Sequence, residues 1–314
     1  MPPARLTLAP TDWLLLAALS LLWGGSFFFA KVAVSALPPL TVALCRVALA
    51  AACLVLVARM RRIALPGTLS AWLPFVPMGL LNNALPFSLL FWGQTQIPSG
   101  LAAILNATTP LFTVLIAHCA TADERLNAGR VAGLTFGLAG VVAMIGPDAL
   151  HALGRNVAAQ LACLAAAVSY GFAAVYGRRF RGEPSLRVAA GQLTASSALL
   201  LPVALIVDRP WTVALPSATA LLAVVALATL STALAYVIFF RILSRAGATA
   251  ISLVTFLIPV SAILLGTLIL REQLAARHLV GMIAIALGLA AIDGRPLARA
   301  SDFAYRVGTG FSPR

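Results

Sequence analysis

LNNALPFSLLF (residues 81–91) and LSTALAYVIFF (residues 230–240) align without a gap, so that Phe87 falls on Tyr236 and Phe91 on Phe240. The register holds beyond the two stretches. Asn106 falls on Thr255 and Pro110 on Pro259, and one residue less brings Glu124 onto Glu272, Gly133 onto Gly281 and Gly140 onto Gly288. Upstream, WGGSFFFAK (23–31) has a weaker echo in YGFAAVYGR (170–178), which pairs Trp23 with Tyr170 and the chain's single lysine, Lys31, with Arg178. The chain therefore divides into two related halves, 1–148 and 149–293, followed by a tail at 294–314 that reads as disordered and cytoplasmic.

Of the 314 residues, 61% are apolar and only 10% charged, with a mean hydropathy of +0.99. A soluble domain carries roughly 25% charged residues, so the expected fold is all-α and integral to a membrane. A span needs ~20 largely apolar residues. Ten candidates follow: 13–33, 38–58, 70–92, 97–118, 129–146, 157–177, 187–207, 216–240, 247–270 and 277–293. The third and fourth form one uncharged stretch that must break at GQTQIPSG (93–100), where Gly, Pro and polar residues cluster. A single arginine (Arg5) precedes the first run, with no small-residue cleavage site after it, which reads as a retained first span. Cys45, Cys53, Cys119 and Cys163 sit in or beside apolar runs at unrelated spacings and read as small buried hydrophobes.

The net charge of +13 does not describe a nucleic-acid binder, because the arginines fall singly or in small clusters between apolar runs. They are orientation signals. With the N-terminus inside, sixteen Lys and Arg lie in cytoplasmic segments and five (Lys31, Arg155, Arg209, Arg271, Arg277) in outer ones, leaving Arg46 within a span. Both termini are then cytoplasmic. Each half holds five spans, an odd number, so the second half enters the membrane upside down. Inverted repeats are a signature of secondary transporters, whose substrate site lies near the midplane between the halves.

The motifs carrying this pattern are the WGGSFFFAK end of span one, Arg46 in span two, the proline of span four, and Glu124-Arg125-Leu126 before a glycine-rich span. In order, spacing and duplication they resemble the ten-helix EamA-type members of the drug/metabolite transporter superfamily, over essentially residues 12–293. The resemblance implies a basket in a bacterial inner membrane, with spans one to four and six to nine around a central cavity and spans five and ten peripheral. It also implies export of amino acids or related metabolites, the activity of many members.

Arg46 is the strongest single signal. It lies about eight residues into span two, about 12 Å deep at 1.5 Å per residue, where an arginine costs ~2.5–3.5 kcal/mol on insertion scales. No Asp or Glu lies inside any expected span, so a buried ion pair is not on offer. Two readings stand: a bidentate site for a substrate carboxylate or phosphate, or a lock onto helix carbonyls or a wet cavity wall. The missing acid also argues against cation export by the small multidrug antiporters of this superfamily, which use an acidic residue in span one.

Other polar residues fall on shared faces: Asn106, Thr109 and Thr113 in span four, and Ser252, Thr255 and Pro259 in span nine. Asn82 and Asn83 precede Pro86 in span three, and Gln192 lies near the position equivalent to Arg46. These groups meet either each other, as interhelical glue, or a cavity. The aromatics Trp23, Phe27, Phe87, Trp92, Tyr170 and Tyr236 suit an amphiphilic solute. Pro110 and Pro259, at matching places, bend their spans. Lys31 and Arg178 are placed as cationic tips at opposite mouths of the cavity, gate or orientation residues. Gly133 with Gly137, and Gly281 with Gly288, offer small-residue faces for close packing, within the chain or at a dimer contact. Glu124 and Glu272 are expected to serve helix starts.

His118, His151 and His278 are scattered, with no metal-ligand spacing, and Ser26 has no histidine base on a neighbouring span; neither metal, cofactor nor catalysis is expected. The expected function is a secondary transporter exporting small zwitterionic metabolites, most of all amino acids, by alternating access. Its partners are a small-molecule substrate and the bilayer, not nucleic acid, and the chain is a monomer or weak homodimer. The alternatives are a carrier of phosphorylated or nucleotide-linked anions and, from another class, an intramembrane enzyme or a non-transporting scaffold.

Overall fold

A computed structural model describes residues 10–120, 128–145 and 155–293, and every regular element among them is helical. In the first half, α1 (Pro10–Val34) and α2 (Pro39–Met60) are followed by two short pieces, α3 (Leu69–Trp72) and α4 (Phe75–Gly79). These lead through a π-helical turn, π1 (Leu80–Ala84), into α5 (Leu85–Gln96). Then come α6 (Ser99–Asn106), α7 (Thr109–Ala120) and α8 (Ala128–Ile145). The second half holds α9 (Arg155–Tyr176), α10 (Ser185–Val207), α11 (Ala218–Ala228), π2 (Thr229–Leu234), α12 (Ala235–Ile269) and α13 (Ala276–Asp293).

Seven stretches among the described residues are long and apolar enough to cross a bilayer: Pro10–Val34, Pro39–Met60, Leu69–Gln96, Ser99–Ala120, Asn156–Phe180, Ser185–Val207 and Ala218–Phe239. Expected spans five, nine and ten correspond to the shorter apolar helices Val131–Ala143, Leu257–Ile269 and Ala276–Gly288. The long apolar stretch breaks where expected, with α5 ending at Gln96 and α6 opening at Ser99 behind Pro98. The break expected between spans eight and nine is absent as a loop. Ala235–Ile269 runs as helix because RILSRAGATA holds no proline and mostly good helix formers. That element is nevertheless not straight. Residues 239 and 261 would stand about 33 Å apart on a straight helix, yet the Trp23 ring lies 5.7 Å from that of Phe239, tilted against it, and Gly24 abuts Ser261.

Two expectations need correcting at helix ends. α1 starts at Pro10, earlier than read, so Asp12 stands buried in its first turn, where an acidic group meets the positive end of the helix. Span four is not one helix: α6 stops at Asn106 and α7 begins at Thr109. The cysteines are all free, with Cys163 buried and Cys119 exposed.

Helix contacts run from one half to the other. α1 lies along α11 and α12, α9 along α5, α6 and α7, α2 against α10, and α8 against α13. Between helices in lipid the hydrophobic effect supplies little, so association depends on close fit and polar contacts. Glycine gives that fit. A Cβ on Gly24 would stand 2.5 Å from Ser261 Cβ and 2.9 Å from the Ile258 carbonyl. A Cβ on Gly288 would stand 2.5 Å from the Gly133 carbonyl, and one on Gly140 would stand 2.8 Å from that of Gly281. The small-residue faces of α8 and α13 thus close on each other within the chain.

A carboxylate ties α2 to the end of α10. Asp208 Oδ2 accepts from the backbone N–H of Thr41 at 2.6 Å and from its hydroxyl at 2.9 Å, capping a helix whose own cap position, Pro38, has no side-chain bond to give. Asp208→Ala is expected to weaken the fold by about 1–2 kcal/mol, the usual cost of a lost cap. Thermal unfolding in detergent checks this.

Candidate central cavity

Between the halves lies a cavity of about 460 Å³, within the range of about 300–1,000 Å³ usual for small-ligand sites. Its wall draws on α1 (Trp23, Ser26, Phe27), α2 (Arg46), α4 and π1 (Met78, Asn82) and α5 (Phe87, Leu90, Phe91, Gln94). Asn106, Thr109 and Pro110 come from the break in span four, Tyr170, Ala173, Ala174 and Gly177 from α9 and its end, and Ser231, Thr232, Tyr236, Phe239 and Ile258 from the second half. The wall is mostly apolar, and among the described residues Arg46 is the single charged one on it.

Arg46 is buried, 6% exposed. Its Nε donates to Thr232 Oγ1 at 3.0 Å, and its guanidinium carbon stands 3.9 Å over the Phe87 ring and 5.7 Å from that of Phe91. Phe87 and Phe91 stack in parallel, 6.0 Å apart. Thr232 is fixed in turn by donating its hydroxyl to Leu227 O. Of the two structural readings, helix carbonyls do not hold this arginine: a hydroxyl and two rings do. Among the described residues the Nε bond is its one hydrogen bond, so the two terminal nitrogens, the pair that grips a carboxylate bidentately, have no protein partner.

The two π-helical turns sit at equivalent places in the aligned stretches, and each has a visible cause. In π1, Pro86 removes an N–H from the helix ladder. Leu81 O, five residues before the missing N–H, accepts instead from the Ser169 hydroxyl of α9 at 2.7 Å, as a dry bilayer requires, and Gly79 O, just ahead of the turn, accepts from the Ser196 hydroxyl of α10 at 2.9 Å. In π2, Thr232 turns its hydroxyl back five residues onto Leu227 O. Each turn then presents a polar group to the facing helix of the other half. Thr232 receives Arg46 of α2, and Asn82 donates to Gln192 of α10 at 3.0 Å. Gln192 continues to the Tyr236 hydroxyl at 3.1 Å.

One end of the cavity is latched by polar contacts. Lys31 Nζ donates to the carbonyls of Gln94 at 2.6 Å and Ile97 at 3.0 Å, at the end of α5. Glu272 accepts from the Ser99 N–H at 2.8 Å, the Ser99 hydroxyl at 2.7 Å and the Gly100 N–H at 3.3 Å, at the start of α6. A cation at a helix C-terminus and an anion at an N-terminus each meet the favourable end of the dipole. Glu272 also exerts an electrostatic pull on Lys31. The wall extends the other way, to Met78, Gly177 and Phe239.

Of the residues expected at the site, Trp23, Phe27, Arg46, Phe87, Asn106, Thr109, Tyr170 and Tyr236 line this cavity, as does Pro110. Gln192 stands behind the wall, holding Asn82 and Tyr236. Asn83 is fully buried and off the wall, with neither end of its amide partnered; its neighbour Asn82 faces the space instead, because the π turn rotates the two. Lys31 lies in the latch, Arg178 in a short 3₁₀ turn (Gly177–Phe180) beside the opposite end, and Pro259 is buried in α12 away from the wall. Trp92 is exposed on the outer surface. The side chain of Thr255, and all of Glu124, lie outside the described residues. Sequence reasoning missed Ser26, Gln94, Ser231, Thr232 and Phe239. For Ser231 and Thr232 the signal was present, since they are the aligned partners of Asn82 and Asn83.

A bundle of apolar helices around a buried, mostly apolar cavity with one cation defines a multi-pass membrane carrier of small molecules. The EamA-like transporter family model matches residues 12–146 and again 157–292, and the chain belongs to that family, within the drug/metabolite transporter superfamily. It is 27% identical over 277 residues to the uncharacterized transporter YoaV of Bacillus subtilis (strain 168), covering 87% of this chain and 93% of that one. It is 31% identical over 256 residues to the uncharacterized inner membrane transporter YedA of Escherichia coli (strain K12), covering 80% of each. A probable amino-acid metabolite efflux pump of Escherichia coli (strain K12) is 27% identical over 296 residues, covering 88% of this chain and 93% of the relative. One crystal structure shares the fold at a TM-score of 0.64 and 23% identity, over 90% of this chain and 97% of that chain.

Proposed function

We propose that this protein is a secondary transporter of the bacterial inner membrane that exports small zwitterionic metabolites, amino acids above all, by alternating access of two inverted five-span halves. The observation that carries this reading is Arg46, a buried guanidinium in a ring-lined cavity with its terminal nitrogens unpartnered. The substrate carboxylate takes those nitrogens. Its side chain lies among Phe87, Phe91, Trp23 and Tyr236, and its ammonium faces Asn106 Oδ1 and Ser231 Oγ, buried atoms without protein partners. The efflux pump among the relatives supports an amino-acid substrate, and the inner-membrane relative supports the location.

Several features support the inverted halves: the paired π turns, the contacts exchanged across the halves, and the double family match. Arg62 and Arg209, which follow α2 and α10, also both take left-handed backbone, at φ 55° and 46°. With both termini cytoplasmic, by the arginine distribution, the Lys31–Glu272 latch closes the outer face and the cavity leads toward the cytoplasm. A phosphorylated substrate fits less well. A phosphate monoester brings about −1.5 to −2 charges, and the wall offers one cation.

The test is counterflow in proteoliposomes. Purified protein loaded with an unlabelled amino acid is expected to accumulate the labelled one, most strongly for aromatic and large apolar side chains. Absence of counterflow across all labelled amino acids contradicts the reading.

A further inference from the structure

We propose that Gln94 is a substrate ligand that ties occupancy of the cavity to the outer latch. The inference rests on the transport reading above and adds a specificity residue to it. Gln94 is 1% exposed, lines the cavity and, among the described residues, has no partner on either Nε2 or Oε1. A buried amide with both ends unpaired carries the full desolvation penalty with nothing in the protein to offset it. It continues the stripe that Phe87 and Phe91 begin, at i, i+4 and i+7 on one face of α5, and so stands one turn beyond the ring that lies 5.7 Å from the Arg46 guanidinium. A zwitterion whose carboxylate is on Arg46 thereby presents its ammonium and polar substituents to the Gln94 amide, which both donates and accepts.

The same residue belongs to the latch. Its backbone carbonyl is the shorter of the two that Lys31 holds, and the loop after it is held from the other side by Glu272. A ligand that draws on the Gln94 side chain therefore acts on the last turn of α5, which the latch grips. Among the described residues, no other unpartnered group on the wall has a backbone atom in the latch.

Two measurements on the full-length protein test this, with labelled phenylalanine as the probe. Gln94→Met keeps length and volume while removing the amide. It is expected to melt at or above the wild-type temperature and to exchange phenylalanine at least tenfold more slowly. A lower melting temperature with unchanged exchange makes Gln94 a packing residue and overturns the proposal. Lys31→Met is also expected to slow exchange about tenfold, and if Gln94 acts through the latch the double variant is no slower than the slower single one. A multiplicative loss, about a hundredfold, overturns the coupling while leaving the ligand role. If wild-type protein exchanges no amino acid, the transport reading fails separately. Gln94 is then judged by melting: a gain in Gln94→Met upholds an amide kept for a ligand, and a loss overturns it.

Discussion

Arg46→Ala is expected to abolish amino-acid exchange, by at least a hundredfold, while the protein still inserts and folds. Hydrogen bonds to a charged group contribute about 1.5–3 kcal/mol each, and a bidentate carboxylate loses two of them, when each 1.4 kcal/mol is a factor of ten. The fold does not depend on the same group to that extent. Arg46 holds Thr232 by one bond, and Thr232 keeps its own anchor on Leu227 O. Its insertion cost of ~2.5–3.5 kcal/mol disappears with it, so melting should hold or rise. Arg46→Lys is expected to recover little, because an ammonium has neither the flat fork nor the stacking surface that lies over Phe87. Counterflow rates beside melting curves in detergent separate the two effects.

Gly24→Leu is expected to act the other way, on the fold. The atoms a side chain would meet are backbone and Cβ: Ser261 Cβ at 2.5 Å, the Ile258 carbonyl at 2.9 Å and the Ala262 nitrogen at 3.0 Å. None of them can rotate aside. α1 must leave α12, breaking the Ser20–Ser261 hydroxyl pair at 2.7 Å and moving Trp23 and Phe27 on the cavity wall. Overpacking costs typically 1–3 kcal/mol and more where backbone must shift, so folded yield and melting temperature should both fall, with transport lost in proportion. Gly25→Ala, one position along, faces only side-chain atoms at 3.6 Å and 3.7 Å and is expected to be tolerated.

Much of this is legible in the sequence. The absence of charge over whole runs specifies membrane helices, and one arginine inside such a run identifies a polar interior. The residues of the wall were readable wherever polarity or aromaticity is rare in an apolar run, as at Trp23, Arg46, Asn106 and Tyr170. Gln94 escaped because it falls in GQTQIPSG, which reads as a loop by composition, although α5 carries it to a buried last turn. Asn82 and Asn83 could not be told apart, since a π turn shifts which neighbour faces inward and no hydropathy pattern encodes it. By sequence Lys31 reads as a cationic tip at one mouth of the cavity, a gate or orientation residue. The carbonyls it grips belong to a helix end that folds against it from far along the chain.

The central claim, that the cavity reads a carboxylate through Arg46, is tested most directly by competition. Phenylalanine and phenylalaninamide differ only in that group. Exchange of labelled phenylalanine by the wild-type protein should be blocked by excess phenylalanine and left nearly unchanged by the same concentration of the amide. Equal inhibition by the two would contradict the account.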